Sequence, residues 1–142
     1  MRFMVIMKAT PESEAGATPK EEVLTAMGRF NDELVKAGVM LAGEGLHPSS
    51  KGVRLRFSGG RPQLIDGPFS DTRELAAGFW LWQVRSKEEA IEWARRIPNP
   101  DNATFEVELR QVFEADDFGD EFTPEARAQE ARLRAELDAR HH

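Results

Sequence analysis

The clearest pattern in the chain is a pair of predicted strands that are apolar on both faces. Residues 2–8 and 78–84 each alternate between two sets of large apolar side chains. In the first strand, one side carries Phe3, Val5 and Met7 and the other carries Met4 and Ile6; in the second, one side carries Phe79 and Leu81 and the other carries Trp80, Trp82 and Val84. Strands of this kind are typical of the middle of a sheet that is covered on both sides.

Two helices are predicted from apolar residues at helical spacing. The first spans 19–37, with Thr18 as its cap and Gly38 just past its end. The second begins after Ser86, which opens another capping box, and must end before Pro98. Both helices have one apolar side, so each is expected to pack against a sheet.

The remaining strands complete a recognisable order of elements. Residues 39–46 and 104–112 are predicted strands, and the segments 53–57 and 63–65 predict a hairpin with a basic outer face that turns at Gly59-Gly60. Without the hairpin the order is βαββαβ, the arrangement of ferredoxin-like α+β folds. We therefore expect a four-stranded antiparallel sheet with both helices on one face.

A sheet with two helices on one side leaves its other side open. The second apolar set of the two central strands would then lie in water, which single chains usually avoid. Packing against a second copy of the chain would cover it, so the pattern predicts a homodimer. The alternative is that the C-terminal tail folds back over this face, although Leu133 and Leu137 are the only large apolar residues from Thr123 onward.

Length and composition limit the domain organisation. The chain has 142 residues, which fits one domain over 1–113. Residues 114–142 are predicted to be an acidic linker and a C-terminal tail, with a helix that starts at Thr123. His141 and His142 have the appearance of an expression tag and are left out of any site. The absence of cysteine excludes thiol catalysis, thiolate metal sites and disulfides.

Charge and hydropathy restrict the kinds of partner and the cellular compartment that we expect for this protein. The net charge of -6 argues against nucleic acid as the main partner, because phosphate binding needs a basic face. No segment approaches the roughly 20 apolar residues of a membrane helix. The apolar run at Met1–Met7 is too short for a signal peptide, so we expect a cytoplasmic protein that does not use a membrane.

Four blocks of sequence resemble the DGPF branch of the YCII-related family. They are residues 42–48 (AGEGLHP), 66–69 (DGPF), 78–81 (GFWL) and 89–98 (EAIEWARRIP). The resemblance covers about residues 1–113 and implies a ferredoxin-like fold that forms a dimeric α+β barrel. It further implies small enzymes with a suspected His and Asp pair, and a regulatory link to alternative sigma factors.

His47 and Asp66 are the candidate catalytic residues. His47 is the only histidine of the predicted domain, and pairing with Asp66 would orient its ring for acid–base work. The alternatives are a surface histidine beside Pro48, and an aspartate whose carboxylate binds backbone N–H groups of the Gly-Pro turn.

Four further residues are candidates for substrate binding. Arg54 and Arg56 share one face of the hairpin and could hold a carboxylate or phosphate, or else form a solvated face paired with Glu106 and Glu108. The other two are Glu44, three residues before His47, and Trp80, which could stack on a planar ligand. For Trp80 and Trp82, packing in the core or in a dimer is the competing interpretation.

Three functional hypotheses follow. The first is a small cofactor-independent enzyme in which His47 and Asp66 move a proton on a small organic molecule, as an isomerase, lyase or hydrolase would. The second is a non-catalytic ligand-binding or regulatory module that works with a sigma factor. The third, an oxygenase, rests on fold analogy, and the sequence has no haem or metal ligand set to support it.

Overall fold

The structure is a computed structural model that describes residues 1–141. It divides into two compact units, Met1–Gln111 and a second unit that begins at Val112. The elements in chain order are β1 (Arg2–Lys8), α1 (Pro11–Glu14), α2 (Glu21–Lys36), β2 (Met40–Gly45), β3 (Val53–Arg56), β4 (Gln63–Asp66), β5 (Ala76–Gln83), α3 (Lys87–Arg95), β6 (Val107–Gln111) and α4 (Pro124–His141). Short 3-10 turns lie at Ser49–Lys51, Thr72–Glu74 and Ala115–Glu121.

The first unit is built on a four-stranded sheet with the order β2-β5-β1-β6, and all its neighbouring strands are antiparallel. The predicted α+β class and four-stranded antiparallel sheet are therefore confirmed. With the hairpin β3–β4 set aside, this order is compatible with a ferredoxin-like fold.

One face of this sheet forms the core beneath α2 and α3. The side chains buried there come from the two central strands, from the two helices and from the residues just before β2 and just after β5: Phe3, Val5, Phe30, Leu34, Val39, Trp80, Trp82, Val84 and Ala90. The ring of Phe30 meets those of Trp80 and Trp82 edge-on, with centroids 5.8 and 6.3 Å away. The set that begins with Phe3 and the set that begins with Trp80 thus share the helix-covered side.

The other apolar set lies on the opposite, open face of the sheet. Ile6 pairs with Phe79 and Met4 with Leu81, and all four side chains are half-buried. On the edge strand β6, Glu108 lies opposite Ile6, and its carboxylate pairs with Lys8 at 3.3 Å and with Arg110 at 3.2 Å. The open face therefore has an apolar centre, with charged side chains on and beside its β6 edge.

Helix ends were the least accurate predictions. The first long helix, α2, begins at Glu21 rather than at residue 19, and its N-cap Lys20 makes no side-chain capping bond, so the predicted cap at Thr18 is wrong. The segment predicted as a loop over 9–17 contains α1, which is capped by Thr10. Ser86 does cap α3 by accepting the N–H of Glu89 at 3.1 Å.

The hairpin β3–β4 forms a separate two-stranded sheet. Its last pair is Arg56 with Gln63, so a longer loop over 57–62 replaces the predicted two-residue turn. Gly59 and Gly60 both have positive φ in this loop, a conformation that favours glycine.

In the second unit, α4 starts where the sequence predicted a helix. The hydroxyl of Thr123 accepts the N–H of Ala126 at 3.2 Å. The tag suggested for the chain end concerns His141, at the last turn of α4, and His142, which lies outside the described residues. Within residues 1–141, the helices lack the combination of length and apolar character that a membrane crossing requires.

Candidate functional site

The chain segments that follow β1 and β2 and precede β5 meet at one end of the four-stranded sheet. The end of β2 pairs with the start of β5, where Leu46 donates its N–H to the carbonyl of Ala77 at 2.8 Å. The end of β1 lies beside the same part of β5, because the N–H of Ala9 reaches the carbonyl of Leu75 at 2.9 Å. The segment that follows β1 and the loop that follows β2 therefore leave the sheet on the same side.

Ser49 joins these loops to the DGPF segment. Its backbone N–H donates to Oε1 of Glu14 at 2.9 Å, and its hydroxyl donates to Oε2 of the same carboxylate. That hydroxyl also accepts the N–H of Phe69 at 3.0 Å. The three segments that leave β1, β2 and β4 are thus held together through one partly buried side chain, an arrangement we call the Ser49 clasp (Glu14, Ser49 and Phe69).

Gly67 explains why the DGPF segment can approach so closely. A Cβ at this position would lie 1.8 Å from the carbonyl oxygen of Ser49, a distance that no side chain tolerates. Its N–H donates to the carbonyl of Gly52 at 3.0 Å, and the peptide bond to Pro68 is cis. Backbone packs directly on backbone here, so the segment 66–69 and the loop 49–52 form one structural unit.

His47 lies just before this unit in the chain, and Asp66 is the first residue of its DGPF segment. His47 precedes Ser49 by two residues, and Asp66 is the last residue of β4, opposite Val53 and next to Gly67. Both side chains are exposed, and neither forms a hydrogen bond or ion pair with another described residue. Ser49, rather than the Asp66 carboxylate of the turn interpretation, accepts the N–H of Phe69.

The two hairpin arginines have different surroundings. The guanidinium of Arg54 stacks over the ring of Phe69, 3.8 Å from its centroid, which ties the hairpin to the DGPF segment. Arg56 pairs with Gln63 at the far end of the hairpin. Glu108, an ion-pair partner suggested by the sequence for these arginines, instead pairs with Lys8 and Arg110.

Glu44 and Trp80 lie on opposite faces of the sheet. Glu44 pairs with Phe79 and so belongs to the open face, where it is exposed. Trp80 is 6% exposed under α2, and its indole N–H donates to Oδ1 of Asn31 at 2.9 Å. This placement favours core packing over ligand stacking for Trp80.

Concave surface is found elsewhere on the domain. Two open grooves run along α2, one bordered by Glu21, Thr25 and Pro100 and the other by Glu33, Arg96 and Pro98. Neither groove includes a predicted site residue. Among residues 1–141, His, Asp and Glu side chains form no group of three that could hold a metal ion.

Sequence reasoning missed Glu14 and Ser49. Glu14 lies in the segment predicted as a loop, and Ser49 follows Pro48 in a stretch without periodicity. They are separated by 35 positions, so no local spacing relates them. One usable signal was the Thr10-Pro11 start of α1, which predicts a capped turn and thereby fixes the position of Glu14.

Comparison with known proteins identifies the family. The model of the YCII-related domain matches residues 1–116. A relative from Rhizobium meliloti (strain 1021), "Uncharacterized protein R00369", is 33% identical over 104 residues, which is 71% of this chain and 84% of the relative. Among solved structures, 5-chloro-2-hydroxyhydroquinone dehydrochlorinase (TftG) from Burkholderia phenoliruptrix AC1100, in complex with 2,5-dihydroxybenzoquinone, has a TM-score of 0.47 and 16% identity over 80% of this chain and 95% of that one. The chain belongs to the YCII-related family.

Proposed function

We propose that this protein is a small cofactor-independent enzyme that moves a proton on a small organic molecule, with His47 and Asp66 as the acid–base pair. The Ser49 clasp is the observation that supports it most, because it fixes the loop that carries His47 against the segment that begins at Asp66. Acid–base catalysis depends on holding two such groups in a defined relation.

The chemistry needs little beyond these residues. The imidazole of His47 takes a proton from the substrate in an isomerase or lyase, or from the attacking water in a hydrolase, and returns it to another atom or to the leaving group. The carboxylate of Asp66 orients the ring and stabilises the imidazolium that forms. Arg54 and Arg56 supply positive charge for an anionic substrate group, and Glu44 borders the site from the open face.

The proposal includes a homodimer of the DGPF type, in which two open sheet faces pack together as a dimeric α+β barrel in the cytoplasm. The support is the apolar centre formed by Met4, Ile6, Phe79 and Leu81 on a face that α2 and α3 do not cover. Packing this face against a second copy would also enclose the mouth of the site, since Glu44 lies on it.

Proton transfer at carbon can be tested without knowing the substrate. The protein would be incubated in D2O with a panel of small carbonyl, enol and hydroxy-aromatic compounds, and deuterium incorporation would be followed by mass spectrometry. We expect catalysed exchange in at least one compound, and a loss of roughly 100-fold or more in His47→Ala and in Asp66→Asn.

Matched controls are available in the same chain. His141→Ala changes a histidine of α4, and Asp101→Asn changes an exposed aspartate between α3 and β6. Both should keep the wild-type exchange rate. Any wild-type activity that survives both His47→Ala and Asp66→Asn would show that the pair does not carry it.

The clasp gives a second test of the same proposal. Ser49→Ala removes the hydroxyl that binds Glu14 and Phe69, so we expect turnover to fall about 10-fold or more with little change in overall stability. Ser50→Ala, at the exposed neighbouring serine, is the control. Equal turnover in the two variants would contradict the positioning role of the clasp.

A non-catalytic ligand-binding or regulatory module that works with an alternative sigma factor is the second candidate. It is favoured by the exposure of His47 and Asp66 and by the position of the two grooves along α2. Gel filtration of the protein with a sigma factor encoded beside it tests this role. Absence of a complex at micromolar concentration, together with catalysed exchange, would favour the enzyme.

A further inference from the structure

One face of the hairpin β3–β4 combines apolar side chains with the candidate acid. Strand pairing sets Leu55 opposite Leu64 and Val53 opposite Asp66, and directly opposed residues of a strand pair share a face. The three apolar side chains are between 53% and 58% exposed. We call this surface the Asp66 face (Val53, Leu55, Leu64 and Asp66). A contiguous apolar patch that ends at a polar group is typical of a ligand-binding surface.

The opposite face of the hairpin has contacts of its own. Arg54 pairs there with Ile65, which is half-buried, and the guanidinium stacks over the ring of Phe69. Arg56 belongs to this second face as well, because it is two residues along the same strand. Both arginines therefore extend from the other side of the hairpin, and the Asp66 face is the open one.

The carboxylate is held at the end of its face by the backbone. Gly67, the next residue, donates its N–H to the carbonyl of Gly52, which immediately precedes β3. The Ser49 clasp then binds the DGPF segment to the loop that carries His47. Asp66 thus has a defined position relative to the apolar side chains beside it, which lowers the cost of ordering a bound small molecule.

The dimensions of the Asp66 face fit a single ring with one substituent. Residues two apart on a strand are separated by about 6.6 Å, so the Leu55–Leu64 pair lies roughly that far from the Val53–Asp66 pair. A six-membered ring that lies on the two leucines would place its substituent at the carboxylate. An ionised carboxylate only accepts hydrogen bonds, so it favours a substituent that donates one and disfavours a negatively charged one.

We propose that the Asp66 face binds the ring of the substrate, and that the substrate is a compound with one apolar ring and a hydrogen-bond donor directed at Asp66, such as a phenol or a cyclic alcohol. The inference rests on the proposed role of Asp66 in the enzyme and extends it from the reaction to the class of substrate. Val53, Leu55 and Leu64 become residues that determine specificity.

A small molecule fits this face better than a protein surface does. A protein that covered the hairpin would bury the Asp66 carboxylate, which is costly unless a donor from that protein lies exactly opposite it. A ring with its own donor satisfies the carboxylate and covers the leucines at the same time. An anionic group of the same molecule would have to pass the edge of the hairpin to reach Arg54 or Arg56.

Methyl NMR measures this contact without any turnover. Protein labelled with 13C in its Leu and Val methyl groups would be titrated with three probes that share one ring: p-cresol, which donates a hydrogen bond, 4-methylanisole, which does not, and p-toluenesulfonate, which is anionic. We expect p-cresol to shift the signals of Val53, Leu55 and Leu64. It should bind about 10-fold tighter than 4-methylanisole, and p-toluenesulfonate should bind most weakly. The signals of Leu24, which is 58% exposed on α2, should not move and serve as the internal control.

Two substitutions separate the ring from the donor. Leu64→Asn should weaken p-cresol binding about 10-fold because apolar area beneath the ring is lost. Leu24→Asn, the matched change at an equally exposed leucine, should leave it unaltered. Asp66→Ala should bring p-cresol and 4-methylanisole to similar dissociation constants. Circular dichroism confirms that each variant is folded, and the titration of the unaltered protein tests the proposal independently of all three.

The outcome can be distinguished from that of the enzyme proposal. Binding of p-cresol at these methyl groups without catalysed exchange in D2O would support the ligand site and count against the acid–base role. Absence of shifts at Val53, Leu55 and Leu64 up to the solubility limit of p-cresol would overturn the inference, even with catalysed exchange. Equal binding of the three probes would overturn the selection by Asp66. Signals that move on dilution of the protein alone would show that a second copy covers the face, which would also overturn it.

Discussion

The two faces of the four-stranded sheet differ strongly in burial, although the central strands carry similar apolar residues on both. Both are apolar in the central strands, and adjacent residues of β5 can belong to either: Trp82 is fully buried beneath the helices, whereas its neighbour Leu81 is only half-buried on the open face. Among the residues whose burial the structure describes, none with a charged side chain is buried in the core of the covered face, whereas the open face has Glu108 and Arg110 on β6 and Lys8 on the neighbouring strand β1.

This difference separates two kinds of hydrophobic residue. Those of the covered face are fixed by contact with α2 and α3 and determine how one chain folds. Those of the open face contribute less to a single chain, because half-burial removes less apolar area from water. The proposed homodimer would account for their size and position, and the charged side chains of β6 would form the rim of that contact.

The largest expected effect is the difference in stability loss between substitutions at neighbouring residues on the two faces. Trp82→Ala empties the centre of the core and should lower the free energy of unfolding by about 3–5 kcal/mol. Leu81→Ala, one residue away on the open face, should cost about 1 kcal/mol when the protein is dilute enough to be monomeric. Urea unfolding of both variants measures the difference, and equal losses would mean that the two faces are equally covered within one chain.

The next effect concerns assembly. Ile6→Asp places a charge in the apolar centre of the open face, so we expect the dimer dissociation constant to rise by roughly 100-fold or more. Val35→Asp, at a 61% exposed position on α2, is the matched control and should leave it unchanged. Sedimentation velocity over a dilution series gives both values. A dimer unaffected by Ile6→Asp would show that copies pair through another surface.

Much of the fold could be predicted because the periodic spacing of apolar residues indicates strands and helices locally. The alternation in residues 2–8 and 78–84 gave both central strands and the correct division of their side chains between two faces. Helix starts were harder, because the Thr18 and Ser86 patterns look alike, yet only Ser86 makes the capping bond. A capping pattern is necessary for such a bond, but the path of the preceding chain decides whether it forms.

The candidate site was predictable only in part. The DGPF residues and His47 stand out in the sequence, but the clasp depends on a contact between Glu14 and Ser49, which no local rule relates. Trp80 shows the converse problem: an aromatic residue in a strand is compatible with a ligand site until the neighbouring helix is placed over it. Contacts between segments that lie far apart in the sequence, such as this one, can be predicted only when the three-dimensional topology is known.

A smaller effect within the covered face distinguishes its two tryptophans. Trp80 donates its indole N–H to Asn31, whereas the indole N–H of Trp82 has no hydrogen-bond partner among the described residues. Substitution by phenylalanine removes a hydrogen-bonded N–H at Trp80 but an N–H without a partner at Trp82. Trp80→Phe should therefore destabilise the protein by about 1 kcal/mol more than Trp82→Phe in urea unfolding. The reverse order would show that the volume lost at Trp82 outweighs the donor.

The smallest effect lies at the rim of the open face and depends on pH. Hydrogen bonds from Arg110 and Lys8 lower the pKa of Glu108 below its ordinary value of 4.5. Because the folded-state pKa is the lower one, this carboxylate stabilises the protein above about pH 4.5, and the contribution disappears as the pH falls through the folded-state value.

Glu108→Gln should therefore be less stable than wild type at pH 7, and the gap should close as the pH approaches 3 in a series of urea unfolding curves. Asp101→Asn, in an exposed loop, serves as the control without such a gap. A gap that stays constant with pH would assign the loss to packing rather than to charge. If the open face is the dimer contact, the gap should widen at concentrations where the copies pair, because a second sheet would shield this edge from water and strengthen its ion pairs.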